Sequence, residues 1–168
     1  MAYTPAQLSD IESIRDATKR YTHGLDRLDG EHMRSAYWPD ATDDHGPEFN
    51  GNAWDYVEVA MESHRRWRPS LHTLANQIIE LDADGTNARG ETYCVAYLFE
   101  ADRAVMYQWF GRYLDRFQKR DGAWRILNRV CVHEASRMDD PVNIMPFPQE
   151  RFRPGSFDRP SVGRPIGP

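Results

Sequence analysis

The sequence holds only two cysteines, two lysines and no long apolar run. Each scarcity excludes something. Cys94 and Cys131 are too few for a disulfide framework or a thiolate metal signature. Both lie in apolar, strand-like runs, where a buried free thiol is the expected state. No apolar stretch approaches the roughly 20 residues that span a bilayer. The N-terminal MAYTPAQLSDIE lacks a basic start followed by an apolar block, so the expectation is a soluble cytoplasmic protein without a signal peptide. Positive charge is short as well: 21 Lys and Arg face 26 Asp and Glu, a net charge of −5 with the signs interspersed. Nucleic acids and anionic membranes are bound by basic patches, so neither is an expected partner. No HxH or HExxH spacing occurs, which leaves a metal site built from His23, His72, His133 and nearby carboxylates without a motif. There is no internal repeat.

What is present is enough for one domain with a core and a pocket, 168 residues with eight Tyr and five Trp. Thr4 and Pro5 form an N-cap and first-turn pair that opens a helix. Leu8, Ile11, Ile14, Tyr21, Leu25 and Leu28 then recur at the three-to-four spacing of one buried face, and Asp29-Gly30 supplies the stop. A short helix is predicted from about Glu31 to Tyr37, ended by Trp38-Pro39. Ala41–Asn50 is polar and reads as a short strand and a turn. A third helix is predicted over Asn52–Trp67, with Trp54, Val57, Met61 and His64 on one stripe and Pro69 closing it. The period then changes. Leu71–Leu81, Ala88–Phe99, Ala104–Gln118 and Trp124–Ser136 read as strands, separated by turns at Asp82–Gly85, Glu100–Arg103 and Arg120–Gly122. Helices followed by long antiparallel strands imply an α+β domain over residues 1–136, its curved sheet wrapped around the helices. Seven of the eleven prolines fall between Pro141 and Pro168, so 137–168 is expected to be an irregular tail. Its Ile144, Met145, Phe147, Phe152 and Phe157 favour packing on the domain or on a neighbouring subunit.

Candidate chemistry centres on Asp26 and His72. Asp26 stands at a helix C-terminal end, where the macrodipole disfavours a carboxylate. His72 opens a strand, and alternation puts it on one face with Leu74, Asn76 and Ile78. If the two meet, the carboxylate fixes the imidazole tautomer and stabilises the imidazolium after proton uptake, which is general-base chemistry. No serine or cysteine stands out as a nucleophile, so substrate C–H or O–H bonds are the target. Arg129 lies deep in the last strand, with Leu127, Cys131 and His133 on its face. It serves either as a structural ion pair or as a donor to a leaving group or oxyanion. His23 can share the inner helix face with Asp26, whereas His45 belongs to a polar turn and is expected to be solvated. Tyr21, Tyr37, Trp38, Trp54, Tyr107 and Trp109 are candidates to wall an apolar cavity, or simply to fill the core. Cys131 and His133 complete the candidate pocket.

The order of these pieces carries a resemblance. A helix ending in YxxxxD (Tyr21–Asp26), a short helix ending in YWPDA, a third helix, LHTLANQIIEL and RYLDRFQKRDGAWRILNR follow one another over about Asp10–Arg137. The chain resembles a SnoaL-like domain of the nuclear transport factor 2-like superfamily, near its dehydrochlorinase and scytalone dehydratase subgroup. That resemblance implies a cone-shaped α+β barrel around a deep pocket. It also implies an Asp–His pair for elimination without a cofactor, and a homo-oligomer, trimer or dimer. Asp26, His72 and Arg129 match the subgroup's aspartate, histidine and last-strand arginine. The implied function is a cofactor-independent lyase, of dehydratase or dehydrohalogenase type, acting on a small apolar cyclic substrate. The alternatives are an isomerase or polyketide-type cyclase on the same dyad, or a small-ligand-binding module.

Overall fold

A computed structural model describes residues 2–100 and 104–143. Helix α1 (Pro5–Asp26) starts where the sequence predicts. Thr4 accepts from the Gln7 backbone N–H while the Gln7 side chain reaches back to the Thr4 backbone, a reciprocal cap. Ile11, Ile14, Tyr21 and Leu25 are buried along one face, but Leu8 is 52% exposed, one turn short of the sheet. The chain then turns through Leu28, which takes a left-handed φ of 51°. The Asp29 side chain caps α2 (Gly30–Arg34). Gly24 lets α2 approach α1, because a Cβ there would lie 2.5 Å from the Met33 backbone nitrogen.

Tyr37 and Trp38 belong to strand β1 (Tyr37–Asp44), not to the end of the short helix. Strand β2 (Asn50–Asn52) leads into α3 (Ala53–His64), capped by Asn52. That helix stops before the predicted Trp67, which is instead the first residue of β3 (Trp67–Leu81). Long strands follow: β4 (Asn87–Glu100), β5 (Val105–Arg120) and β6 (Ala123–Asp139). The predicted turn at Glu100–Arg103 lies, Glu100 apart, outside the described residues, as does the tail from 144 onward.

The six strands form one sheet in the order β2-β1-β6-β5-β4-β3. It is mixed rather than antiparallel throughout, since β1 runs parallel to β6. It is also open, with β2 and β3 at its edges. The β2–α3 excursion carries the chain from one side of the sheet to the far edge, where β3 begins. Pro39 and Pro69 sit inside strands where the pairing register breaks, the places at which a residue without an N–H is tolerated. The core lies between the helices and the concave face, around Ile14, Leu25, Met33, Val57, Phe117 and Ile126.

Three bulges reset strict alternation. Register shifts between Leu74 and Gln77, so His72 and Leu74 face inward but Ile78 is 59% exposed, and Gln77 and Ile79 replace the expected Asn76 and Ile78. On β6, Arg116 and Phe117 pair with Asn128 and Ile126, leaving Leu127 unpaired. Ile126 and Arg129 both therefore point inward, and Leu127 does not share the face of Arg129 as predicted. A further shift lies between Phe110 and Gly111. There the Trp109 ring folds over Gly111, where a Cβ would lie 2.2 Å from it.

Candidate functional site

The last turn of α1 and the start of β3 bring Asp26 and His72 together. Asp26 accepts three hydrogen bonds: from Ser70 Oγ at 2.9 Å, from the His72 backbone N–H at 2.8 Å and from His72 Nδ1 at 2.7 Å. These donors offset the unfavourable helix end that the sequence suggests. Because Nδ1 donates to the carboxylate, neutral His72 carries its lone pair on Nε2. Both side chains are nearly buried, 7% exposed for His72 and 12% for Asp26.

A second histidine adjoins this pair. The ring of His64, from the C-terminal end of α3, lies 5.7 Å from that of His72. Its Nδ1 sits 3.0 Å from the Ala60 carbonyl, which can only accept, so Nδ1 bears the proton. Nε2 is buried with no partner among the described residues. Burial first, and the neighbouring His72 second, depress the His64 pKa to about 4. At neutral pH His64 is therefore an uncharged imidazole, its Nε2 without a partner among the described residues, standing beside the His72 ring.

Arg129 is fully buried and paired with Asp115, directly opposite it on β5: Nε to Oδ1 at 2.8 Å, Nη2 to Oδ2 at 2.7 Å. Its guanidinium is sandwiched 4.1 Å from the rings of Tyr21 and Tyr113, and Nη1 has no partner among the described residues. Burial pushes the Asp115 carboxyl up, an effect Arg129 opposes, while the charge of Asp115 keeps Arg129 cationic. Cys94 links this group to the dyad. Burial raises its thiol to about 11, and Tyr113, Arg129 and Asp26 modulate it in turn. Cys131 is raised to about 12 for the same reason.

The other predicted residues divide. Tyr21 and Tyr37 are buried near Arg129, and Trp109 stacks on Tyr113 with centroids 6.1 Å apart. Tyr107 packs edge-on against Trp67, near the end of the strand. Trp38 donates to the Gln118 carbonyl and lies under Arg120 and Arg125, away from the dyad. Trp54 is 37% exposed, beside Arg34 and Arg125 on the outer surface. His133 is exposed and contacts Ser136 at 2.7 Å, because β6 leaves the core beyond Cys131. His23 faces outward against His32 rather than inward beside Asp26. No three metal-ligating side chains converge among the described residues.

The largest departure is His45. Far from being solvated, its side chain is 11% exposed and its Nδ1 contacts the fully buried Asp43. Asp43 also accepts from Tyr37 Oη at 2.5 Å. On its other side, His45 Nε2 lies 3.4 Å from Tyr21 Oη, and the ring stacks on Tyr56 at 4.1 Å. Signals for the missed residues were available. Ser70 is two positions before His72 on one strand face, and Asp43-x-His45 has the spacing that places two side chains on one face.

The comparisons with known proteins fit this architecture. Residues 6–130 match the SnoaL-like domain family. No curated protein matches the sequence. Among solved structures, a protein from Novosphingobium aromaticivorans provisionally assigned as a scytalone dehydratase aligns with a TM-score of 0.73 at 18% identity, covering 96% of this chain and 99% of its own. The hexachlorocyclohexane dehydrochlorinase of Novosphingobium barchaimii gives 0.73 at 15% identity, covering 84% and 97%. A protein of unknown function from Mycobacterium tuberculosis gives 0.67 at 24% identity, covering 80% and 78%. At these identities the likeness establishes the fold.

Proposed function

The chain belongs to the SnoaL-like domain family, and from that premise we propose that it is a cofactor-independent lyase acting on a small, largely apolar cyclic compound. The observation that carries this reading is the threefold anchoring of Asp26. It locks the carboxylate on His72 Nδ1 and leaves Nε2 as the lone-pair nitrogen that can act as a base. In the proposed reaction Nε2 removes a proton from carbon and Asp26 stabilises the imidazolium that forms. The C–H electron pair becomes the new double bond as the leaving group departs with its own pair. Positioned proton transfer supplies about 10²–10⁴-fold. Arg129, enclosed by aromatic rings and held by Asp115, does not reach the substrate directly. It contributes positive potential behind Tyr21 and Tyr113, partly cancelled by its own carboxylate partner.

The bare His64 Nε2 beside His72 favours one second reading, in which a proton taken from one carbon is held and returned to another. That would be an isomerase or cyclase. Mass spectrometry of reactions in D₂O separates the two, using a panel of hydroxylated, halogenated and keto-cyclic compounds. Loss of water or hydrogen halide, abolished in His72→Ala and strongly reduced in Asp26→Asn, is the expected result. Unchanged formula with deuterium at carbon would favour isomerisation. Turnover equal to wild type in both variants would refute the dyad. We further propose that the chain works as a homo-oligomer, a trimer or dimer, which sedimentation can test.

A further inference from the structure

A single base explains half of an elimination. The other half is the departing group, and an oxygen leaving group needs a proton as its bond to carbon breaks, whereas a halide does not. The interior holds a second, unused set of acid–base groups suited to that demand. Asp43 is fully buried, accepts the Tyr37 hydroxyl and contacts His45 Nδ1, so it repeats the Asp26–His72 relationship at another point on the concave face. His45 Nε2 does not face solvent but meets the Tyr21 hydroxyl, while the His45 ring stacks on Tyr56.

The two pairs both pack against α1 and α3. Tyr21 precedes Asp26 by five residues on α1, an axial offset of about 7.5 Å. Tyr56, which stacks on His45, and His64, which neighbours His72, stand two helical turns apart on one face of α3, about 12 Å. His64 feels the charges of His72, Asp26 and His45 together. These offsets are of the order that a six-membered ring with one hydrogen bond at each end would span.

We propose that His45, held by Asp43, is a second acid–base centre, and that through Tyr21 it protonates the oxygen leaving the substrate while His72 removes the proton. The inference rests on the lyase reading and narrows it to substrates that lose water. Tyr21 alone is a poor acid, because burial pushes its hydroxyl well above the ordinary range and a free phenolate there is disfavoured. With His45 protonated, the steps balance. The Tyr21 proton passes to the leaving oxygen, which keeps the electron pair of the broken C–O bond, and the His45 Nε2 proton passes to Tyr21. His45 ends neutral, His72 ends protonated, and exchange with solvent resets both. Tyr21 touches the substrate, and His45 and Asp43 supply and steady its proton.

The test uses a matched pair, 3-hydroxycyclohexanone and 3-chlorocyclohexanone, which share the acidic C–H bond and yield the same cyclohexenone, followed by its ultraviolet absorbance. In His45→Gln and in Tyr21→Phe, kcat on the hydroxyketone is expected to fall by about 10²-fold, and at least tenfold less on the chloroketone. The double variant should fall no further than the single ones, since both interrupt one relay. His72→Ala reports separately on the base. If it changes neither compound while the leaving-group split persists, the dyad reading fails and the relay stands. Equal losses on both compounds in His45→Gln, or none, would overturn the relay. Tyr21→Phe removes one hydroxyl only, which guards against a folding defect. Should wild type turn over neither ketone, ¹⁵N-imidazole NMR decides. The His45 ring-nitrogen shifts must change at Nε2 in Tyr21→Phe and at Nδ1 in Asp43→Asn, and an unmoved Nε2 shift in Tyr21→Phe overturns the proposal.

Discussion

Replacing His64 with phenylalanine isolates the energetic consequence of burying a neutral imidazole. His64 sits with Nδ1 on the Ala60 carbonyl, Nε2 unpartnered and its pKa depressed to about 4 from 6.5, burial being the larger cause and His72 the next. The sign follows from which state binds the proton. Between pH 6.5 and pH 4 the unfolded chain is protonated at this residue and the folded chain is not, so stability falls as the pH falls through that window. A depression of about 2.5 units corresponds to about 3 kcal/mol in full, of which about 2 kcal/mol is lost between pH 7 and pH 5. Phenylalanine keeps a planar ring of similar size and has nothing to protonate. His64→Phe is expected to lie within about 1 kcal/mol of wild type at pH 7, since the lost contact to Ala60 is offset by removal of an orphaned acceptor. At pH 5 it should be the more stable protein by about 2 kcal/mol. Urea unfolding at the two pH values measures this directly. With a slope of about 2 kcal/mol per molar, the gap between the two midpoints should widen by about 1 M on acidification. Ionisable groups remote from His64 are common to both proteins and cancel in the comparison. A gap that stays constant between pH 7 and pH 5 would refute the assignment of His64 as a buried neutral base, and with it the bare nitrogen beside His72.

Asp115→Asn leaves Arg129 as an uncompensated buried cation and is expected to destabilise the fold by about 3–5 kcal/mol, whereas replacing both partners with Leu and Met should recover most of that in chemical denaturation. Gly111→Ala would place a Cβ 2.3 Å from the Val132 carbonyl oxygen as well as against Trp109. Backbone cannot yield as a flexible side chain does, so a loss of about 1–3 kcal/mol is expected from thermal unfolding. Ser70→Ala removes one of three donors to Asp26 and should cost about 2 kcal/mol of stability by the same assay. Activity, on whatever compound the panel identifies, should fall far less than in Asp26→Asn, because the His72 bonds remain.

The element order was legible in the sequence because helix caps, turn residues and the change of period speak locally. Thr4-Pro5, Asp29-Gly30 and Asp121-Gly122 each mark a boundary by backbone chemistry alone. The meeting of Asp26 and His72, 46 positions apart, was legible only through a helix-end carboxylate that stability would not choose. What escaped the sequence depends on register. A bulge changes which residues face inward without changing composition, so Ile78 and Leu127 were placed on the wrong face, while residues next to the bulges, such as His72 and Arg129, kept theirs. His45 escaped for a different reason. DDHGP has the composition of a solvated turn, and nothing local says that β1 lies beside β6, with its last residues under Tyr21 and Tyr56. A parallel pairing between the first and last strands of the sheet is non-local by construction, and no period in either segment encodes it.

The interior is costly in one consistent way. A carboxylate sits at a helix C-terminal end, an imidazole nitrogen is orphaned in the core, and a guanidinium is closed between phenol rings with one amino group unpaired. Burial raises the hydroxyls of Tyr21, Tyr37, Tyr56 and Tyr113 above their ordinary range, so all four remain protonated donors. Each arrangement is individually worse for stability than an apolar replacement of similar volume would be. They also lie together, linked through Tyr21, Tyr113 and Cys94, while the outer faces of α1 and α3 carry ordinary exposed ion pairs. Local conflicts that cluster in one compartment and spare the rest of a fold are the mark of a site whose composition is set by chemistry. The balance inside that compartment also limits the chemistry. Asp26 and Asp43 face His72 and His45, with His64 beside them. Arg129, the one buried Lys or Arg among the described residues, is already paired with Asp115. A substrate that remained anionic would find no uncommitted positive charge there, whereas a neutral ring that becomes charged only as it reacts would meet groups already aligned to receive its proton and return one.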